Sequence, residues 1–493
     1  GPMSRSSART ALRAAGAAVA IAAMTAAAMT AAGGMALSEA AMASGPPQNY
    51  LVLAPRGEGV ANAIARVQAT GGTVLASYDQ IGVLVARSDR TNFATAVVGS
   101  GVQSAAATTG FGTPVQGAEE ATVDGPTPDP ATTGEPLWSR QWDMRAIHVA
   151  EAHSVTIGSP DVVVGVLDSG IDGAHPDLAS QVDHSLSASC VGGVVDTSYA
   201  AWQPSAIDHG THVAGTIGAA RNGVGIVGVA PGVRLASVKV VTDAGFIYPE
   251  AAVCGYMWAA QHGFDITNNS YFIDPWNFNC RNDVRQRPIW AAVQRALRYA
   301  SSQGVLTVAS AGNSQTDLQH KYVDTSSPND GSSPPEERLI NGACVDLPAE
   351  APGVLTVSAT GPTGLHSFYS SYGLGVVEVA APGGDSRVPG TEPNGRVYST
   401  VWPGNGYGYK QGTSMAAPHV SGVAALVRSR YPDMSPATVT ALLERTADAT
   451  ACPAGGAYTP PGSGVVTHYC YGSTANNGFY GFGEVNAYRA VTG

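Results

Sequence analysis

The sequence predicts an α/β protein with a mostly parallel sheet, preceded by a small α+β unit of the ferredoxin-like type. Three observations carry that expectation. Continuous β-branched runs such as 161–167 (DVVVGVL) recur from residue 136 onward, as expected of strands buried on both faces. Helical stretches separate these runs, and strands alternating with helices imply a parallel sheet. Before residue 108 the order of short segments is instead β-α-β-β-α-β, that of a split βαβ unit.

Residues 1–43 read as a tag remnant and a secretory leader. Gly1-Pro2 precedes Met3, and Arg5, Arg9 and Arg13 form a positive n-region. No charge occurs from Ala14 to Ser38, and Ala41-Met42-Ala43 supplies an A-x-A cleavage signal. The run is rich in alanine, which makes a membrane anchor the weaker reading. A secreted, extracellular protein without a stable membrane anchor is therefore expected. The ferredoxin-like unit occupies 46–107, with strands at 49–53, 73–77, 82–87 and 102–107 and helices at 59–69 and 91–98. Residues 108–134 are rich in Gly, Thr, Pro and acid. Such a stretch cannot bury a core and reads as an exposed linker, where proteases cut.

The remainder, 135–493, holds the larger domain. Its buried strands are expected at 161–167, 235–241, 304–309, 353–358 and 376–380, with helices at 210–220, 249–262, 289–303 and 415–431. Residues 315–343 are polar and turn-rich and read as a surface insertion.

Composition narrows the function. The 493 residues carry 26 Lys and Arg against 37 Asp and Glu, a net charge of −11. That balance disfavours a nucleic-acid partner. With 44% hydrophobic and 13% charged residues the chain can bury a sizeable core. Six cysteines occur and none forms a CxxC pair, which favours disulfides over a compact zinc site. Six cysteines can pair in 15 ways; Cys452 with Cys470 and Cys280 with Cys344 are the local choices.

Three motifs carry the chemistry. Asp168 ends a buried strand in VVVGVLDSGIDGAHPDL, His209 opens a helix in DHGTHVAG, and Ser414 opens another in QGTSMAAPHVSG. A serine hydroxyl needs an imidazole to take its proton, and that imidazole needs a carboxylate to hold its tautomer. The order Asp, His, Ser is one of the known chain orders of such a triad. Taken singly, the serine is an ordinary N-cap and the aspartate an ordinary turn residue. The two histidines of HGTH lie three apart, but the HExxH string of a zinc peptidase is missing.

Together these motifs resemble those of subtilisin-like serine peptidases, the subtilase family, over roughly residues 135–492. The resemblance implies a three-layer α/β/α fold with Asp168, His209 and Ser414 as the triad. It implies that Asn313, in TVASAGNS, is the oxyanion asparagine and that His212 is structural. Gly245-Phe246-Ile247 matches the family's edge strand that pairs with substrate backbone, and Ser270-Tyr271-Phe272 the strand opposite. A small residue is usual where Ile247 stands and a glycine where Phe272 stands, so bulk narrows the pockets here. Asp346 lies near the expected pocket floor.

The loop 222–226 (NGVGI) resembles the family's strong calcium loop. The ligands it implies for Ca²⁺ are Glu135, Asp177, Ala220, Asn222, Val224 and Ile226, with Gln141 a weaker N-terminal candidate. A plain Asn-Gly turn beside a surface acid is the alternative. No organic cofactor is implied.

Residues 46–107 resemble the inhibitor-like propeptide of the family, an intramolecular inhibitor released by a cut in the linker. The segment GFGEVNAYRAV matches the family's closing strand and helix, with no further domain expected. The expected protein is a monomeric, secreted serine endopeptidase, made as a self-processing precursor and acting on proteins or peptides. A narrow-specificity processing peptidase of the same fold is the alternative. A non-catalytic binding protein on the same scaffold is disfavoured by the intact Asp168, His209, Asn313 and Ser414.

Overall fold

The computed structural model describes residues 43–108, 122–123, 134–388 and 394–493. The expected leader and nearly all of the expected linker lie outside the described residues.

The first unit has strands β1 (Ser44–Leu53), β2 (Thr73–Tyr78), β3 (Val83–Arg90) and β4 (Ser104–Ala107), with helices α1 (Ala61–Ala69) and α2 (Phe93–Ala96). The strands pair antiparallel in the order β2-β3-β1-β4. Alternate residues of β1 and β3 serve different faces, as the pleat requires. Tyr50, Val52, Leu84 and Ala86 pack with Val67 of α1 and Phe93 of α2. Leu51, Leu53, Val83 and Val85 point the other way and are also buried. A sheet apolar on both faces needs a second partner, which the larger domain supplies.

That domain is built on seven strands: β5 (Val163–Asp168), β6 (Ala188–Ser189), β7 (Arg234–Lys239), β8 (Ile266–Asn269), β9 (Leu306–Ser310), β10 (Leu355–Thr360) and β11 (Val379–Pro382). They pair in the order β11-β10-β9-β8-β5-β7-β6, every pair parallel. The helices are α3 (His209–Gly218), α4 (Pro249–Gln261), α5 (Arg287–Ser302), α6 (Thr413–Arg430), α7 (Pro436–Thr446) and α8 (Ala487–Thr492). Val164 and Val166 face the core formed with α3, α6, α7 and α8. Val163 and Leu167 face the core formed with α4 and α5. The result is the three-layer α/β/α arrangement.

The five expected hydrophobic runs all fall on strands of this sheet. Its middle strand, β8, was not expected. Its sequence ITNN places Asn268 and Asn269 at full burial, so no hydrophobic run marks it.

The first unit docks on α4 and α5. Leu51, Leu53, Val83 and Val85 join one core with Ala251, Ala252, Ala292 and Ala296. Arg295 of α5 donates through Nη1 to the carbonyls of Ala54 (2.9 Å), Ile81 (3.2 Å) and Gly82 (3.3 Å). Asn49 Nδ2 donates to Glu250 Oε1 on α4 at 3.2 Å.

All six cysteines are paired. Cys280–Cys344 and Cys452–Cys470 form as expected, and Cys190–Cys254 ties the turn after β6 to α4. The insertion at 315–343 is pinned by a short ladder in which Val323 pairs Leu339 and Asp324 pairs Arg338. A hairpin of β12 (Val397–Val401) and β13 (Gly406–Lys410) precedes α6. Among the described residues no helix is long and apolar enough to cross a membrane.

Glu378, just ahead of β11, accepts the Thr356 N–H on Oε2 at 2.8 Å. Burial pushes its carboxyl up to about 8. The folded state therefore holds this proton more tightly than the unfolded chain, whose glutamates titrate near 4.3. The stability this supplies is full in acid and lost as pH rises through about 8. Glu378→Gln keeps the acceptor and removes the charge. Its melting temperature should fall less than that of wild type between about pH 5 and about pH 9 by calorimetry. Parallel profiles would mean that the group titrates normally.

Candidate active site

Asp168 is the last residue of β5 and is buried. Its Oδ1 accepts the Ser169 N–H at 2.7 Å. His209, the first residue of α3, donates from Nδ1 to Oδ1 at 2.8 Å and to Oδ2 at 2.9 Å. A carboxylate can only accept, so Nδ1 carries the proton and Nε2 is left as the basic nitrogen. Ser169 Oγ accepts the Gly210 N–H at 2.9 Å and donates to the Ile207 carbonyl at 3.2 Å, fixing the start of α3. Gly210 is what allows that approach. A Cβ there would lie 2.4 Å from the Gly170 carbonyl oxygen and 3.1 Å from Asp168 Cβ.

His212, one turn on, is structural in its contacts. Its Nε2 lies 3.1 Å from the Val397 carbonyl and 3.0 Å from that of Gly408, joining α3 to the hairpin. Burial, with Lys410 nearby, pushes it well below the usual histidine range. It is therefore a neutral donor. Lys410 itself pairs with Asp208 at 2.9 Å.

Ser414 lies in the first turn of α6, where backbone N–H groups have no partner within the helix. Its hydroxyl donates to the Ser270 carbonyl at 3.2 Å, and Ser270 Oγ returns a bond to the Ser414 carbonyl at 2.9 Å. Asn268 of β8 donates to Ser270 Oγ at 2.9 Å, and Ser421 of α6 donates to Asn268 at 2.8 Å. The polar middle strand thus locks the serine's surroundings.

Asn313 follows β9. Its Oδ1 accepts both the N–H and the hydroxyl of Thr413, at 2.9 and 2.8 Å. Nδ2 remains as its donor. Gly312, with φ of +107°, makes the turn that presents it. Asn313 and Ser414 both line a cavity of about 300 Å³, together with Tyr271, Phe272, Phe278 and Asp346.

The expected substrate strand at 245–247 is folded on itself. Gly245 and Phe246 donate to the Thr242 carbonyl and hydroxyl, and Thr242 N–H returns to the Phe246 carbonyl. The Ile247 N–H donates to Asp274 Oδ2 at 2.7 Å, and its carbonyl accepts from Asp274 N at 2.8 Å. The backbone of Ile247 is therefore committed to Asp274 rather than open to an added strand. Sequence reading missed Asp274, since only tertiary folding brings it to Ile247.

The expected calcium ligands form a second, separate group. Asp177 is buried. Its Oδ2 accepts from Ile226 N and Tyr407 OH, both at 2.9 Å, while its Oδ1 is buried without a hydrogen-bond partner. Glu135 Oε1 accepts the Gly223 N–H at 3.1 Å, and Asn222 Oδ1 accepts from Val224 N at 3.0 Å. Ala220 N donates to the Asp177 carbonyl at 2.9 Å. Burial, with the nearby Glu135 adding to it, pushes Asp177 up to about 7. Gln141 is spent elsewhere, with both ends of its amide bonded to the Val227 backbone.

A parallel sheet that brings Asp168, His209 and Ser414 to helix starts and strand ends has the architecture of the subtilisin-like serine endopeptidases. A family model described as "Subtilase family" matches residues 159–483, and the chain belongs to that family. Fervidolysin from Fervidobacterium pennivorans is 34% identical over 339 residues, which are 64% of this chain and 41% of fervidolysin. Subtilisin DY from Bacillus licheniformis is 33% identical over 287 residues, 58% of this chain and 84% of that protein. The match therefore spans less than half of fervidolysin's own length. Among solved structures, the fervidolysin crystal structure has a TM-score of 0.61 at 25% identity, covering 91% of this chain and 61% of that one. The epidermin leader peptide processing serine protease of Staphylococcus aureus shares the fold, with a TM-score of 0.66 at 21% identity over 90% and 98% of the two chains.

The double contact of Asp168 with Nδ1 sets the tautomer, so Asp168→Asn should disturb it without disturbing packing. Labelling of Ser414 by a fluorophosphonate should slow by about 10⁴-fold in that variant. An unchanged rate would show that His209 does not depend on Asp168.

Proposed function

We propose that this chain is a secreted serine endopeptidase, made as a precursor that processes itself. The observation that carries the reading is the grip of Asp168 on His209 Nδ1, taken with the cavity that Ser414 and Asn313 line. Ser414 Oγ attacks the peptide carbonyl carbon while His209 Nε2 takes its proton. Asp168 stabilises the imidazolium that forms. The carbonyl oxygen, now negative, accepts from Asn313 Nδ2 and from the Ser414 N–H at the start of α6. When the C–N bond breaks, His209 returns its proton to the leaving amine. Water then attacks the acyl-serine by the same route, releasing the acid and restoring the hydroxyl. Asn313→Ala should lower kcat by roughly 10²–10³-fold with little change in KM, a magnitude known from subtilisin. An equal kcat would remove Asn313 from the mechanism.

The unit at 46–107 is read as the inhibitor-like propeptide, cut free within 108–134. Its docking through Leu51, Leu53, Asn49 and the Arg295 bonds supports that role. Ser414→Ala should accumulate at full length while the wild type shortens, by intact-mass measurement. Equal shortening of both would assign the cut to another protease. Secretion is supported by the expected leader and by three disulfides, which persist in oxidising compartments.

The group around Asp177 suits Ca²⁺. Among the described residues no three His, Cys, Asp or Glu side chains cluster as metal ligands. The cation would rest on two carboxylates with amide and carbonyl oxygens, the donor set of a hard ion. Asp177 Oδ1, buried without a hydrogen-bond partner, supplies the motive. Asp177, Glu135 and Asn222 would hold the ion with the carbonyls of Ala220, Val224 and Ile226, and it would brace the loop against β5. Chelation should lower the melting temperature of the wild type and leave Asp177→Asn unaffected. A wild type indifferent to chelator would refute the site.

A narrower peptidase of the same chemistry is favoured by one observation, the closure of Ile247 onto Asp274. Such an enzyme leaves most unrelated denatured proteins intact, whereas an open cleft degrades them broadly.

A further inference from the structure

We infer that Asp346 makes the cavity beside Ser414 a receptor for a lysine or arginine side chain, so that the peptidase cuts after basic residues. The inference rests on the peptidase reading above and names its substrate class.

The cavity begins at the catalytic groups. Ser414, Thr413, Asn313 and Gly312 line it together with Asp346, Ser310, Ser371 and Asn329. Asp346 sits beneath the turn that carries Asn313. A Cβ placed on Gly312 would lie 3.7 Å from Asp346 Oδ2 and 3.4 Å from Ser371 Oγ. A substrate whose carbonyl rests between Ser414 and Asn313 has this space within reach of the first side chain on its acyl side.

The carboxylate has no counter-charge of its own. Asp346 is 5% exposed, and its Oδ1 is buried without a hydrogen-bond partner. Its backbone N–H donates to Glu350 Oε2 at 2.7 Å, which brings a second carboxylate close. The cation in this corner, Lys321, is paired to Glu350 Oε1 and donates to the Leu318 carbonyl at 3.2 Å. The charged groups acting on Asp346 are therefore Glu350, Lys321 and, more distantly, Asp274. The one ammonium acting on Asp346 among the described residues is thus already shared with Glu350. A buried charge without a partner is costly, and a partner brought by a ligand removes that cost. Burial, Glu350 and Asp274 all push the Asp346 carboxyl up. An entering cation lowers it again by stabilising the ionised form.

The walls suit an extended cation better than a compact apolar group. Tyr271 and Phe272 offer aromatic surface for a methylene stem and for a guanidinium stacked on a ring, while Lys321 Nζ already stands 5.5 Å over the Phe278 ring. Asn277, Asn329, Ser310 and Ser326 add polar lining to the same cavity. A glutamate side chain would meet Asp346 as a like charge. A leucine would leave both it and Asn329 Oδ1 unpaired.

The test is a set of peptides identical except for the residue before the cut, carrying Arg, Lys, Leu, Phe or Glu. The wild-type protein should show kcat/KM for Arg and Lys at least about 30-fold above Leu and Phe. Asp346→Asn should lose about 100-fold on Arg and Lys while Leu changes little. Fluorophosphonate labelling of Ser414 in the variant should match wild type, which separates a pocket defect from a folding defect. If Asp346→Asn does not accumulate, benzamidine should inhibit the wild type competitively and bind more tightly as pH rises. A wild type that prefers Leu or Phe, or an Asp346→Asn variant with an unchanged preference, would overturn the pocket assignment and leave the peptidase reading intact. Failure to cleave any peptide, with no labelling of Ser414, would overturn the reading on which it rests.

Discussion

The burial of α6 governs the rest of the molecule. From Thr413 to Arg428 every residue of this helix is buried, so it runs through the core and not along its surface. Its packing surface is made of small and β-branched side chains such as Ala416, Ala417, Val420 and Val423, set against Val308, Val357 and Val379 of the sheet. Polar ties fix its axial position. His419 bonds Asp143 at 2.7 Å with both side chains fully buried. Near the far end Arg428 reaches the Gly304 carbonyl at 2.7 Å. A helix held along its length cannot slide, and Ser414 in its first turn inherits that rigidity. Ser414 is placed by the core, which is where precision is easiest to maintain.

Asp168 and Asn313 lie on one side of the sheet because parallel strands end together. Asp168 closes β5, Asn313 follows β9, and His209 opens the helix that returns over the Asp168 turn. Each relies on a neighbour that does no chemistry. Ser169 fastens the start of α3, Gly210 lets it come close, and Thr413 turns the Asn313 amide so that its donor end is left over. These supporting contacts, at 2.8 to 3.2 Å, fix the orientation of the groups they serve. The same sheet edge also shapes the cavity, since Gly312, next to Asn313, lies directly over Asp346.

Much of this was legible because the signals were local. Val163 to Leu167 announced a doubly buried strand, and the HGTH and GTSMA strings marked two helix starts. What escaped was polar or tertiary. β8 has the sequence ITNN and looks like a loop, yet it holds the centre of the sheet, because Asn268 and Asn269 are repaid by bonds to Ser270, Ser421 and the Val308 carbonyl. The bond between Ile247 and Asp274 joins a backbone to a side chain 27 residues on, and no periodicity marks such a pair. Sequence put Glu135 ahead of Gln141 only by resemblance. Burial beside Asp177 and commitment to Val227 separate them. The polar stretch 315–343 read as a surface insertion, and its sequence did not show that Lys321 pairs with Glu350 beside Asp346.

The docking of the first unit sets a constraint on the larger domain. Its sheet covers α4 and α5, and the surface it covers is alanine-rich: Ala251, Ala252, Ala292 and Ala296. Small side chains let a sheet approach closely, and they also expose little apolar area once it leaves. Leucines in their place would grip the unit more firmly but leave a large apolar patch on the free domain. Glu250 follows the same logic. It is buried against Asn49, and burial pushes its carboxyl up. Solvent would recover that cost if the unit departed. Read as a propeptide, the unit binds through contacts that water can replace: a carboxylate, a guanidinium bound to three carbonyls, and a shallow apolar face. An interface of that kind holds a precursor together without making the separated domain insoluble.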